Sequence, residues 1–95
     1  METFEMRRRI DGLVYVFERR AGTGRAAVYE RSDGEVRVKF DPRFGWSIMS
    51  ETGELLGRVW DTLPEDQGDQ PTQGLWLSCK GEKAYAYDLV DVSAG

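Results

Sequence analysis

The chain contains no histidine. That removes the commonest general base, the commonest metal ligand and every Ser–His or Cys–His nucleophile pair. Its single cysteine, Cys79, has no partner for an intrachain disulfide or a thiolate metal cluster. In Leu75-Trp76-Leu77-Ser78-Cys79 the alternation groups Cys79 with Leu75 and Leu77, so it is expected as a small buried hydrophobe and not as a nucleophile. Gly22-Thr23-Gly24-Arg25-Ala26-Ala27 fits the loose G-x-G-x-x-A pattern of dinucleotide sites. Those glycines work when a helix N-terminus behind them faces the pyrophosphate, whereas residues 28–34 read as strand and turn. Asp61, Glu65, Asp66 and Asp69 form the only carboxylate cluster. Their spacing lacks the alternating oxygens of a calcium loop, and a polar loop lacks the walled cleft of two-carboxylate catalysis. They are expected as a solvated acidic loop, and neither a cofactor nor a metal is expected.

The arginines and aromatics carry more signal. Ten of the 13 cations are Arg, the better fork for carboxylate or phosphate. Arg7-Arg8-Arg9 and Arg19-Arg20 make two basic spots and not one stripe, because adjacent residues on a strand point to opposite faces. Blunting of exposed sheet edges by charge is the favoured reading of these arginines. A nucleic-acid or anion site built from Arg19, Arg20, Arg25, Arg37 and Lys39, with Tyr29 stacking, is the alternative. Three Trp, four Tyr and four Phe fall mostly on inward positions and count first as core. Trp60 and Trp76 fall opposite the aliphatic sets of their strands, so Arg58, Trp60, Trp76 and Lys80 are expected to form an interaction surface bordered by an adaptable loop.

A length of 95 residues supports one domain over 1–95. With charged residues at 32% and hydrophobic ones at 40%, the chain is neither low-complexity nor an acidic disordered tail. Net charge is −4, which argues against a protein devoted to coating nucleic acid. Residues 1–43 nevertheless hold 10 basic and 8 acidic side chains, against 3 and 9 in residues 44–95. No apolar run approaches the ~18–20 residues of a membrane helix. The stretch from Met1 to Arg9 lacks the apolar segment of a signal peptide, so a cytoplasmic location without membrane contact is expected.

Period-2 alternation runs through most of the chain. Phe4, Met6 and Ile10 alternate with Glu5, Arg7, Arg9 and Asp11, with Arg8 the exception on the apolar side, and a short helix from Thr3 fits the same residues. Asp11-Gly12 predicts a two-residue hairpin with positive φ at both positions. Residues 13–20 carry apolar groups on both faces, which predicts a strand covered on two sides. Strands are then expected over 25–31, 35–40 and from Phe44 through Ile48, with breaks at Ser32-Asp33-Gly34, Asp41-Pro42-Arg43 and Glu51-Thr52-Gly53. A sixth spans 54–60, where Gly57 marks a bulge or a close backbone approach. A long polar loop over 61–74 separates it from a seventh strand, 75–80. The turn Lys80-Gly81-Glu82 leads to an eighth with Tyr85, Tyr87 and Leu89 on one face. Residues 92–95 are expected to fray.

Short links exclude a parallel α/β sheet. The expected fold is all-β, an antiparallel meander of seven or eight short strands curled into a small barrel or a two-layer sandwich. The expected function is binding and not catalysis: recognition of a protein segment or a second copy of the chain, through the Arg58–Trp60–Trp76–Lys80 surface or through a sheet edge. Nucleic-acid or anion binding is the first alternative. The second is a small-molecule site or His-free enzyme inside the barrel, using Tyr15, Tyr85, Tyr87 or a carboxyl group, which a retained cavity would favour and a filled interior would oppose.

Overall fold

Eight alternating segments wrap into a closed barrel whose strands follow one another in chain order. The computed structural model describes residues 1–93, apart from the side chain of Lys80. The strands are β1 (Thr3–Arg8), β2 (Val14–Ala21), β3 (Val28–Arg31), β4 (Val36–Asp41), β5 (Gly45–Ser50), β6 (Leu55–Val59), β7 (Gly74–Lys80) and β8 (Lys83–Asp91). Each pairs antiparallel with the next, and β1 also pairs with β8, Phe4 opposite Asp91 and Arg8 opposite Tyr87. The meander is therefore a barrel and not a sandwich, and β1 is a strand and not a helix. Closure uses both outer strands, so the expected charge-blunted edges and the edge open to a partner's strand are absent among the described residues. No helix among them is long and apolar enough to cross a membrane.

A closed barrel has one inside. The inward set of β2 is Tyr15 and Phe17, while Val14 on the other face is 42% exposed, so the expected cover on both faces is not found. In β7 the phase is the reverse of the expected one. Trp76 is fully buried and Ser78 lines the interior, whereas Cys79 is exposed. Leu75 to Cys79 offers apolar groups in both phases, and enclosing the larger indole wins over enclosing a leucine. β3 is shorter than expected because Gly24–Ala26 form a single 3₁₀ turn that packs on β4.

The turn after β1 also differs. Gly12 takes φ of 73°, but no non-glycine residue among those described has positive φ, so Asp11 is not the first half of a two-residue turn. Instead Arg8 N–H bonds the Leu13 carbonyl at 2.8 Å and Gly12 N–H bonds the Arg8 carbonyl at 2.8 Å, closing a four-residue loop. At the other terminus Ser93 Oγ accepts from the backbone N–H groups of Glu2 (2.8 Å) and Thr3 (3.1 Å), so the segment expected to fray is tied to β1 as far as Ser93. Residues 94 and 95 of that segment lie outside the described residues.

Half of the interior is a chain of aromatic rings. Phe4 stacks on Phe17 with centroids 5.0 Å apart, Tyr29 meets Phe4 edge-on at 5.1 Å, and Trp46 meets Tyr29 and Phe40 edge-on at 6.2 and 5.6 Å. Such pairs contribute roughly 0.5–1.5 kcal/mol each beyond the area they bury. Gly57 sits where the β5–β6 register shifts, and a Cβ there would lie 2.5 Å from the Leu77 carbonyl oxygen. The two nearest atoms, the Leu77 carbonyl oxygen and Ser78 Cα, are backbone and cannot give way as a flexible side chain would. Gly57→Val should therefore lower unfolding free energy by about 1–3 kcal/mol in urea titration; unchanged stability would show that β6 and β7 can separate there.

Candidate functional site

The long loop joining β6 to β7 closes one end of the barrel. Gln67, 3% exposed, accepts from Trp46 N–H through Oε1 at 2.8 Å and donates through Nε2 to the Thr62 carbonyl at 2.9 Å. Both buried indoles donate to the same loop, Trp46 Nε1 to the Gly68 carbonyl at 3.0 Å and Trp76 Nε1 to the Thr72 carbonyl at 2.7 Å. Arg25 adds a bond from Nη2 to the Gln67 carbonyl. The four carboxylates of the loop are solvated, as composition suggests, but the loop is a pinned plug and not an adaptable border. A glutamine among acidic neighbours gives no sequence sign of burial.

The opposite end is open. Successive strands enter it with Arg8, Tyr15, Arg31, Val36, Leu56, Ser78, Tyr85 and Tyr87 on inward positions, and Met6, Phe17 and Ile48 form its floor. Together with Glu35 and Cys79 they line a cavity of about 370 Å³. Eight strands leave an interior that side chains can fill or that can hold one small ligand. Here the plugged end is filled and the open end is not.

Two inward arginines set the electrostatics of the open end. Arg8 donates from Nε and Nη2 to the two oxygens of Asp11 at 2.9 and 2.6 Å, and its guanidinium lies 4.8 Å from the Tyr85 ring centroid. Arg31 repeats the arrangement: Nε and Nη2 lie 2.9 and 2.7 Å from the oxygens of Asp33, Glu35 stands 3.6 Å off, and the Tyr15 ring centroid is 4.6 Å away. The bond from Arg8 holds the Asp11 carboxyl down at about 2, helped by the Leu13 N–H, and Asp33 is lowered in the same way by Arg31 and the Glu35 N–H. Arg8 is correspondingly raised. Burial pushes the Tyr87 hydroxyl up, while the neighbouring Arg8 and Arg31 pull it partly back. No buried side-chain polar atom among the described residues lacks a partner.

The expected site residues are scattered around this barrel. Trp76 belongs to the core and cannot contribute to a surface; the larger side chain took the inside of β7. Arg58 and Trp60 are exposed, Trp60 at 61%, and Arg58 reaches the ring of Phe44 at 5.6 Å. Lys80 pairs with Lys83 at the end of β7, far along the strand from Trp76, and its side chain lies outside the described residues. Tyr29, expected to stack on a base, is 2% exposed and donates its hydroxyl to the Met1 carbonyl at 2.9 Å. The cations grouped with it are largely matched internally: Arg19 with Glu2, Arg20 with Glu18, Arg25 with Asp69 and Arg37 with Glu30. Lys39 is exposed. By contrast Tyr15, Tyr85 and Tyr87 do converge on the cavity.

Arg8 and Arg31 are the residues that sequence reasoning did not place in a site. The available signal was parity: Arg8 breaks the alternation on the apolar side of β1, and Arg31 shares a face with Tyr29. No group of His, Cys, Asp and Glu among the described residues is arranged to hold a metal ion. Compared with protein-family models, with characterised proteins and with solved structures, the chain matches none.

The Asp11–Arg8 pair has a defined pH signature. A carboxyl lowered in the folded state contributes stability above its unfolded pKa and loses it as pH falls through the folded value. The Asp11 carboxyl carbon should titrate near about 2 by NMR, and in Arg8→Gln it should move back toward the ordinary value. A wild-type midpoint at about 4 would show that the pair does not persist in solution.

Proposed function

We propose that this barrel is a binding protein for a small organic molecule seated in its open end. The observation that carries the proposal is the asymmetry of the interior: rings and a hydrogen-bonded loop fill one end, while apolar side chains and a few convergent polar groups line a cavity at the other. A concave, partly apolar site with a small number of placed donors is the usual make-up of a ligand pocket, and about 370 Å³ falls within the range of such pockets. Without the cavity, stability would favour packing that end with side chains as densely as the other.

The arrangement supports binding over catalysis. Asp11 and Asp33 at the rim are engaged by arginines and held ionised, so they are poor general acids or bases at neutral pH. The tyrosines offer hydroxyl donors and ring faces, which orient a ligand without requiring a reaction.

A neutral fluorescent probe, N-phenyl-1-naphthylamine, should bind the folded protein at one site. Leu56→Trp and Val36→Trp, which place an indole in the cavity, should each weaken it at least about tenfold while the thermal transition is retained. Probe binding that survives both substitutions would remove the cavity as its site.

A second reading rests on the exposed Trp60 and Leu63, each 61% exposed beside the plug. Exposed aromatics flanked by arginine are common anchors of protein contacts, and here the partner would be a second copy of the chain. Under this reading Trp60→Ala lowers the self-association constant in analytical ultracentrifugation without changing the fold. Equal sedimentation of wild type and variant over the same concentration range counts against it.

A further inference from the structure

This inference rests on the cavity reading above and specifies the ligand. Each cavity arginine has five N–H donors in a planar fork. In both, the rim carboxylate engages the Nε–Nη2 side of the fork. The second planar edge, one hydrogen from Nη1 and one from Nη2, then faces the Tyr87 hydroxyl in Arg8 and has the exposed Glu35 carboxylate 3.6 Å from Nη2 in Arg31, with no bidentate partner on either among the described residues. A planar edge of two parallel donors matches the two oxygens of a carboxylate better than it matches a hydroxyl or a carbonyl.

Burial separates the two signs of charge. The side chains of Arg8 and Arg31 are 18% and 17% exposed, whereas Asp11, Asp33 and Glu35 are 48%, 45% and 74% exposed. Asp11 and Asp33 stand largely in water, where their field is screened; Glu35 touches the cavity only from its exposed rim, and the guanidinium groups form part of the cavity wall. Three tyrosines around a cavity would otherwise suit a quaternary ammonium. Here the rings of Tyr85 and Tyr15 already have guanidinium groups over them, so a second cation would meet like charge at the faces that ought to attract it.

Beneath the arginines the floor is Met6, Phe17 and Ile48, without a charged group. We propose that the cavity takes an amphipathic organic acid, its apolar body seated against Met6, Phe17 and Ile48 and its carboxylate held at the mouth by the second edges of Arg8 and Arg31. The Tyr87 hydroxyl, facing the same space, supplies a further donor. The rim carboxylates hold both forks in position before the ligand arrives, which reduces the ordering cost of binding.

The test is displacement of N-phenyl-1-naphthylamine by octanoate and by 1-octanol, which share a hydrocarbon body and differ at the head. Octanoate should displace the probe at least about tenfold more tightly than octanol, the difference expected of a charge-assisted pair over a neutral contact. Arg8→Gln and Arg31→Gln should each shrink that ratio, with each variant's affinity for the two compounds referred to its own affinity for the probe and a retained thermal transition reporting that the barrel is intact. Should the Arg8 variant not fold, the Arg31 variant and the wild-type comparison carry the test. Equal displacement by the two compounds in wild type, or a ratio untouched by either arginine variant, overturns the carboxylate assignment and leaves the cavity standing. Failure of the neutral probe to bind wild type overturns both.

Discussion

Pairing of β1 with β8 governs the molecule. Once the first and last strands share a ladder, every strand has two neighbours and every side chain is committed to the inside or the outside. That commitment accounts for the burial of Trp76, the exposure of Cys79 and the exposed outer face of Val14. It also explains why charged residues recur on the outside of consecutive strands, where they form ion pairs such as Arg37–Glu30 and Arg20–Glu18. Pairs this exposed contribute little to stability. Their larger effect is to satisfy cations that would otherwise make the outer surface basic.

Within the closed wall, volume divides the interior. Rings from Phe4, Phe17, Tyr29, Phe40 and Trp46 meet in a continuous cluster toward the plug. The plug depends on that cluster in turn, because the indole N–H groups of Trp46 and Trp76 need acceptors and the loop carbonyls of Gly68 and Thr72 supply them. Toward the other end the inward positions hold arginine and tyrosine. Long polar side chains bend toward the rim to reach Asp11 and Asp33, and the space they vacate is the cavity.

The strand framework was legible because most segments alternate cleanly: Val36, Val38 and Phe40 inward against Arg37 and Lys39 outward is unambiguous. Gly57 was legible as a close approach for the same reason, standing alone in an otherwise regular strand. Phase was not legible where both sets were apolar, as in Leu75 to Cys79, since only the volume available inside decides between Trp76 and its leucine neighbours. The binding cavity lay beyond local pattern. It requires Arg8 and Tyr87 from opposite ends of the chain to face each other, and no window of sequence contains both. Arg8 on the wrong side of the alternation was the one local trace of it. Gln67 left none, because its burial depends on Trp46 N–H lacking a strand partner.

The seam where the barrel closes joins groups as far apart as Glu2 and Ser93. Joining such distant points costs chain entropy before any contact repays it, so that ladder is expected to form late on the folding route. During synthesis, β1 emerges long before its second neighbour exists and must wait with one side unpaired. Arg8 lies on one side of the seam and Tyr87 directly opposite on the other, so the pocket is complete only once the first and last strands have paired.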